Sequence, residues 1–324
     1  MKVLVTGGAG YIGSFMVKRL LEEDNELVVI DTLERGYASA LDPRAVFLQG
    51  SLLDKVFLKR VFAEHLFDAV IHFAGYISVA ESVAKPSMYI TNNVVATLNL
   101  LDQMVDSNVS KIIFSSTAAV YGSPLKLPIP EDHSKNPESP YGESKWIVER
   151  ILYWYQKSLQ LRFVALRYFN ASGAALDGSM GENHEPETHI IPNAILAAKE
   201  AKTFTLFGND YKTTDGTCVR DYIHVLDLVE AHILALQKIE KEEGGYSYNV
   251  GTGKGYSNKE ILAMVQKVAG KSLTIVEVLR RPGDADILTA DPTKINKELG
   301  FKPKYSDLET IVSTAWKWHT KASR

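Results

Sequence analysis

The chain has 324 residues, 45% hydrophobic and 23% charged, an ordinary globular composition with length for about two domains. Its 36 basic and 39 acidic residues leave a formal charge of −3, too close to neutral to draw in nucleic acid or an anionic membrane through a general field. Cys218 is the single cysteine, so no intrachain disulfide can form. No apolar run reaches the about 18 residues of a membrane helix, and Thr6-Gly7-Gly8 breaks the first apolar run too early for a signal-peptide core. The expectation is a cytoplasmic protein with neither nucleic-acid nor membrane partners.

Short apolar runs alternate with amphipathic stretches along the first half. Strands are expected at 3–6, 27–30, 45–48, 69–73, 112–115 and 162–168. Helices are expected at 11–23, 54–65, 87–106 and 141–159. Continuous apolar strands between helices predict a parallel sheet covered on both faces, a doubly wound Rossmann-type α/β fold. Residues 171–189 carry Gly, Asp, Asn, Pro and Glu without periodicity and read as a crossing loop. Beyond it come a helix near 192–201 and three more near 226–239, 257–268 and 306–319. The domain reading is 1–170 for a dinucleotide-binding domain, with a return of the chain at about 218–250, and 171–324 for a smaller substrate domain.

Two constellations carry chemistry. Gly7, Gly10 and Gly13 stand G-x-x-G-x-x-G between the first strand and the first helix. Gly7 suits a tight turn, Gly10 lets backbone approach a pyrophosphate, and Gly13 allows close helix–strand packing. Asp31 ends the second strand, where a carboxylate accepts from both adenosine ribose hydroxyls and repels a 2′-phosphate, favouring NAD over NADP. Nearby Arg35 is a weaker pull towards a phosphate. The second constellation is Tyr141-x-x-x-Lys145, one helical turn apart on one face. A phenol of ordinary pKa about 10 is a poor base at neutral pH, and an adjacent ammonium favours the phenolate. Ser115-Ser116-Thr117 ends a strand at the carboxyl edge of the sheet, where Thr117 can share a proton with Tyr141. Among the histidines there is no H-E-x-x-H and there is no second cysteine, so no metal is expected. His224 reads as a structural residue at a strand end. The Trp146, Ile147, Leu152 and Trp154 set reads as core or as a subunit seam.

These motifs, with TGGAGYIGS (6–14), HFAG (72–75), FSSTAAVYG (114–122), SPYGESK (139–145), LRYFN (166–170), FGNDY (207–211) and DGTCVRDYIHVLDL (215–228), resemble the extended short-chain dehydrogenase/reductases, and within them the UDP-glucose 4-epimerase family. The resemblance covers nearly the whole chain. It implies that Tyr141 takes the proton of the sugar 4-hydroxyl, that Thr117 bridges that hydroxyl, and that Lys145 tunes Tyr141 and holds the nicotinamide ribose. Carbon 4 becomes a ketone and is reduced back from its other face, with NAD retained. The resemblance also implies NAD contacts from Tyr11, Ile12, Thr32, Ser51 and Leu52, from Phe73, Ala74 and Asn92, and from Ser115 and Tyr168. For the UDP-sugar it implies Arg220 and Arg281 at the pyrophosphate, Asn170 at a phosphate, Phe207 beside uracil, Asp284 at the uridine ribose and His189 facing the sugar. A homodimer is implied, paired through the helices that start near Asn92 and Tyr141.

The departures are local. Ser51 stands where many relatives have Asp, Ile77 where some have Lys, and His189 where some have Asn. Leu288 stands where a bulky Tyr excludes N-acetylated sugars, which extends the expected substrates to UDP-GlcNAc and UDP-GalNAc. Ala118 and Ala119 occupy the positions where dehydratases of this resemblance carry Asp-Glu, and alanine has no exchangeable proton for elimination. The alternatives are a 4-epimerase of another UDP-sugar, such as UDP-glucuronate or UDP-arabinose, and a non-catalytic NAD-sensing protein on the same fold.

Overall fold

The computed structural model describes residues 1–280 and 284–321. In chain order the first half runs β1 (Lys2–Thr6), α1 (Tyr11–Leu21), β2 (Glu26–Asp31), β3 (Val46–Gln49), α2 (Lys55–Glu64), β4 (Ala69–His72), α3 (Val79–Ala84), α4 (Pro86–Tyr89), α5 (Ala96–Asp106), β5 (Lys111–Thr117), α6 (Pro140–Leu159) and β6 (Arg162–Tyr168). The second half runs β7 (Asn170–Ser172), α7 (Ile190–Glu200), β8 (Phe204–Phe207), β9 (Val219–His224), α8 (Val225–Lys241), β10 (Gly245–Val250), β11 (Gly255–Ser257), α9 (Asn258–Ala269), β12 (Ile275–Val278), β13 (Ile287–Leu288), α10 (Thr293–Leu299) and α11 (Leu308–Thr320). Two compact units form. The first is Met1–Gly122, Ser134–Arg167 and Ala231–Tyr248; the second is Ser123–His133, Tyr168–Glu230 and Asn249–Arg324.

The main sheet has seven strands in the order β10-β6-β5-β4-β1-β2-β3. β1 pairs in parallel with both β2 and β4, β2 with β3, and β4 with β5. Leu4, Val28 and Val70 are all fully buried, the outcome expected when helices cover both faces of a parallel sheet. Strand order reverses between β1 and β4, so this is the doubly wound topology, and its switch point lies where β1 and β4 end. At that point the backbone N–H groups of Phe73 and Ala74 both donate to Thr6 O, at 2.9 and 3.1 Å. The Gly-rich turn after β1 is thereby tied to the run after β4.

The expected helix over 87–106 is divided. A π-helical turn, Ile90–Val95, stands between α4 and α5. The wider turn points Asn93, 3% exposed, inward. Its Oδ1 accepts from Tyr76 N, and its Nδ2 donates to Tyr76 O and to Ser144 Oγ. π-turns concentrate at functional sites because they re-aim one side chain without ending the helix. α10 was not among the expected helices: Ile295 is its one buried residue, too little for an amphipathic pattern. Pro192 lies in the first turn of α7, where its missing N–H costs nothing.

In the second unit β9 is flanked by β11, β7 and β13, and β8 pairs with β12. The long Pro-rich connection after β5 contributes residues 123–133 to this unit. There Ile129 exchanges backbone bonds with Thr289 and Asp291 beside β13. His224 ends β9 fully buried, with Nε2 3.1 Å from Thr314 Oγ1 and Nδ1 accepting from Leu226 N, a structural role as expected.

Candidate active site

The three glycines of the first turn meet three different surroundings. Gly7 has φ +72°, and a Cβ there would lie 2.5 Å from Ala74 N. A Cβ on Gly13 would lie 2.2 Å from Gly7 O, so α1 packs against its own turn at a distance only glycine permits. A Cβ on Gly10 would meet nothing nearer than Gly7 O at 3.4 Å. Packing within the chain thus does not demand glycine at position 10. The space kept open lies over the start of α1, whose N-cap, Gly10, offers no side chain to the first N–H groups. That is a cradle for an anion, since helix N-termini present unpaired donors and positive dipole ends. The turn therefore fits a dinucleotide pyrophosphate.

Asp31 ends β2 with its carboxylate accepting from Ala9 N at 3.0 Å and Leu33 N at 2.9 Å, so the acid is fixed beside the turn. Arg35 is held elsewhere: it pairs with Glu81 at 3.0 Å and lies over the Tyr76 ring. A cavity of about 320 Å³ opens at this edge, lined by Thr32, Ser51 and Asn92 together with Glu34, Leu53, Tyr76, Ser87, Met88 and Thr91. Ser51 Oγ is engaged with Leu53 N. Leu52 is buried and its carbonyl accepts from Asn99. Tyr11 and Ile12 open α1, Phe73 stacks near His232 at 4.9 Å, and Tyr168 ends β6 buried. Ile77 is exposed.

α6 carries the second constellation. Ser139 caps it, accepting from Gly142 N at 3.1 Å, and Pro140 opens it. A Cβ on Gly142 would lie 2.6 Å from Ala119 O, so the first turn of α6 presses on the end of β5. The Thr117 hydroxyl accepts from Ala119 N at 3.2 Å and favours the ionised form of the Tyr141 phenol. Lys145, 3% exposed, donates from Nζ to Ser115 O at 2.8 Å and stands over the Phe114 ring.

Burial works against the phenolate that an adjacent ammonium is expected to favour. Burial pushes Tyr141 up, and the Thr117 hydroxyl is the counteracting influence. Lys145 itself is lowered to about 8, because burial disfavours its ammonium. Its Nζ is engaged with the Ser115 carbonyl.

Beneath this set lies a buried network that the motif reading missed. Arg167 pairs with Glu149 at 2.6 Å, with side chains 4% and 3% exposed. Ser116 donates to the same carboxylate, and Arg167 donates to Tyr121 OH at 2.7 Å. The signal was present in the sequence: Tyr141, Lys145 and Glu149 recur every fourth residue on one helix face. His72, also unassigned, is buried between Thr6 Oγ1 at 2.6 Å and Thr97 Oγ1 at 2.8 Å. Burial, then the Lys145 charge, lowers it to about 3, so it is a neutral prop.

In the second unit, register sets Leu288 of β13 opposite Arg220 of β9. Arg220 pairs with Asp284 at 3.2 Å and donates to its neighbour's carbonyl, Val219 O; Tyr211 OH donates to the same Asp284. Asn170 donates to Asp221 O at 2.9 Å. Phe207 ends β8, paired with Val278. His189 is the N-cap residue of α7, its Nδ1 2.6 Å from Glu182 Oε1 and 3.3 Å from Glu187 Oε1. Arg281 lies outside the described residues. Asp221, not singled out from sequence, is fully buried and staples Thr252, Gly253 and Ala290 by their N–H groups.

A doubly wound sheet with an anion cradle at its switch point, and a half-buried phenol and a buried ammonium along the same edge, defines a Rossmann-type dinucleotide-dependent enzyme. The chain belongs to the NAD dependent epimerase/dehydratase family, which residues 3–251 match. It is 49% identical over 320 residues to the UDP-glucose 4-epimerase of Lactobacillus helveticus, spanning 98% of this chain and 97% of that one. The UDP-glucose 4-epimerase of Brucella ovis, solved in complex with NAD, superposes with a TM-score of 0.94 at 45% identity, over 97% of each chain. The UDP-Glc/GlcNAc 4-epimerase of Campylobacter jejuni gives 0.86 at 38% identity, over 99% of each. Among the described residues no helix is long and apolar enough to cross a membrane.

Proposed function

We propose that the chain inverts carbon 4 of a UDP-hexose, interconverting UDP-glucose and UDP-galactose, and that it also accepts UDP-GlcNAc and UDP-GalNAc. The observation that carries the reading is Lys145 of α6 tied to Ser115 O at 2.8 Å, which sets the Tyr141–Lys145 turn against the Ser115–Thr117 end of β5, followed by Ala118 and Ala119. A hydroxyl beside a phenol can move one proton at the sugar 4-oxygen. With no carboxylic acid in the next two positions, elimination at carbons 5 and 6 lacks its acid and base.

NAD, when bound, supplies reversible oxidation at carbon 4 and, in its oxidised form, a positive ring. Thr117 passes the 4-hydroxyl proton to Tyr141 O and returns it after the sugar has turned over. Tyr141 is the acid–base group. Burial leaves its phenol protonated at neutral pH, so it becomes a base only beside a cation. Lys145 holds the Ser115 carbonyl and the nicotinamide ribose. Gly7, Gly10, Gly13 and Asp31 seat the dinucleotide, and the cavity lined by Thr32, Ser51 and Asn92 takes its adenosine end. Arg220 and Arg281 meet the diphosphate as planar guanidinium forks. Asp284 and Phe207 meet the uridine, and Asn170 and His189 border the sugar. Leu288, smaller than a tyrosine, leaves space for an N-acetyl group.

The family's homodimer fits the exposed Val95, Tyr153 and Trp154 on the π-turn and α6, which pack together. We take the chain to work as that dimer in the cytoplasm, and sedimentation velocity at micromolar concentration tests the dimer. The function is tested by NMR product analysis with UDP-galactose, UDP-GalNAc, UDP-glucuronate and UDP-arabinose in parallel. The first two are expected to convert. Tyr141→Phe is expected to lose turnover by about 10²-fold or more while keeping NAD, and near-full turnover would remove Tyr141 from its role.

A further inference from the structure

The stretch from Gly173 to His189 contains neither helix nor strand, yet four ligand-type side chains converge in it. Glu182, His184, Glu187 and His189 each offer one atom, and these atoms all lie within 4.8 Å of one another. Both imidazoles turn the same nitrogen to the same oxygen: His184 Nδ1 is 3.0 Å and His189 Nδ1 2.6 Å from Glu182 Oε1. Glu187 Oε1 is 3.3 Å from His189 Nδ1. We propose that this loop is a binding site for one Zn²⁺ ion, held by Glu182, His184, Glu187 and His189, which clamps the segment leading into α7.

Charge, geometry and support agree. Two carboxylates neutralise a divalent ion, and two imidazoles favour zinc over the oxygen-seeking magnesium and calcium. Donors around a tetrahedral zinc at about 2.0–2.1 Å stand about 3.3 Å apart; the Glu187–His189 pair matches that at 3.3 Å, and the Glu182 pairs at 3.0 and 2.6 Å open to it when an ion enters. The backbone that carries the donors is also held in place, as is the Glu187 carboxylate itself. Trp318 Nε1 donates to Glu182 O at 2.7 Å, and Asn193 Nδ2 donates to Glu187 O at 3.3 Å. The Glu187 carboxylate accepts from Thr188 N and His189 N. Glu182 is buried and already draws both imidazoles to one oxygen. Such outer bonds are what fix ligands for a metal, and an irregular segment of this length gains most from a clamp.

The test uses the untagged full-length protein, stripped with a chelator, reloaded with ZnCl₂, passed through gel filtration and assayed for metal by mass spectrometry. About one zinc per chain is expected, with X-ray absorption showing nitrogen and oxygen neighbours and no sulfur. His184→Ala and Glu187→Gln are each expected to weaken zinc by about tenfold or more in competition with a chromogenic chelator. Circular dichroism checks that both fold, and Cys218→Ser should bind as the parent does. Zinc well below one per chain, or equal affinity in both variants, overturns the proposal. Metal content is read without turnover, so the epimerase reading stands or falls separately.

Discussion

Gly10 and Gly13 lie three residues apart in one turn, yet alanine at each should have opposite effects on the folded chain. At Gly13 the new Cβ would overlap Gly7 O at 2.2 Å and Gly8 Cα at 2.8 Å. Both neighbours are backbone, so α1 must shift, and overpacking of this kind costs about 1–3 kcal/mol. At Gly10, φ is −79° and the nearest atom is 3.4 Å away. Alanine fits there and removes unfolded-state freedom, so NAD-free Gly10→Ala should gain about 0.4–1 kcal/mol. The same methyl group occupies the cradle. If a pyrophosphate must give way by a similar overpacking cost of about 1–3 kcal/mol, NAD weakens by about 5- to 150-fold. Urea unfolding of the NAD-free proteins measures the first quantity and calorimetric titration with NAD the second. The reasoning is refuted if Gly10→Ala is destabilised like Gly13→Ala, or if it keeps parental NAD affinity.

Lys145 has a folded pKa of about 8, below its ordinary value of 10.5, so the unfolded chain binds more protons between those two values. The burial penalty, about 3 kcal/mol, is therefore fully present below pH 8 and lifts as pH rises towards 10.5. Lys145→Met should abolish turnover but stabilise the NAD-free protein at pH 7, with the gain fading near pH 10; a less stable variant at pH 7 in urea melts contradicts this. Removing one partner of the buried Glu149–Arg167 pair, as in Arg167→Met, should cost about 3–5 kcal/mol, and a loss under 1 kcal/mol in the same melts would mean the pair is dispensable. Leu288→Tyr should suppress conversion of UDP-GalNAc while sparing UDP-galactose in the NMR assay, and equal loss of both would remove Leu288 from substrate selection.

Much of the first unit was legible because its determinants are local. Apolar runs of strand length between amphipathic helices specify a covered parallel sheet, and each glycine of the turn was readable from its place between β1 and α1. The Tyr141–Lys145 pair followed from helical spacing alone. The π-turn at Ile90–Val95 was hidden, because hydrophobic spacing does not register one inserted residue when the inward residue is a polar Asn93. The helix α10 escaped for lack of an apolar face.

Electrostatics and long-range partnership were decided only by the tertiary structure. The sequence put an ammonium one turn from a phenol, but only the fold buried that ammonium and gave it the Ser115 carbonyl as a partner. The sequence held Glu149, Arg167 and the pair Ser116 and Tyr121 in three separate segments, and the packing of α6 on β5 and β6 made them one buried network. Glu182, His184, Glu187 and His189 follow no familiar metal spacing, and the course of an irregular loop brings their donor atoms together. Local pattern fixes which element forms, because backbone bonding and amphipathic faces are short-range. The field at a buried side chain sums over neighbours distant in the chain, so it exists only once the chain has folded.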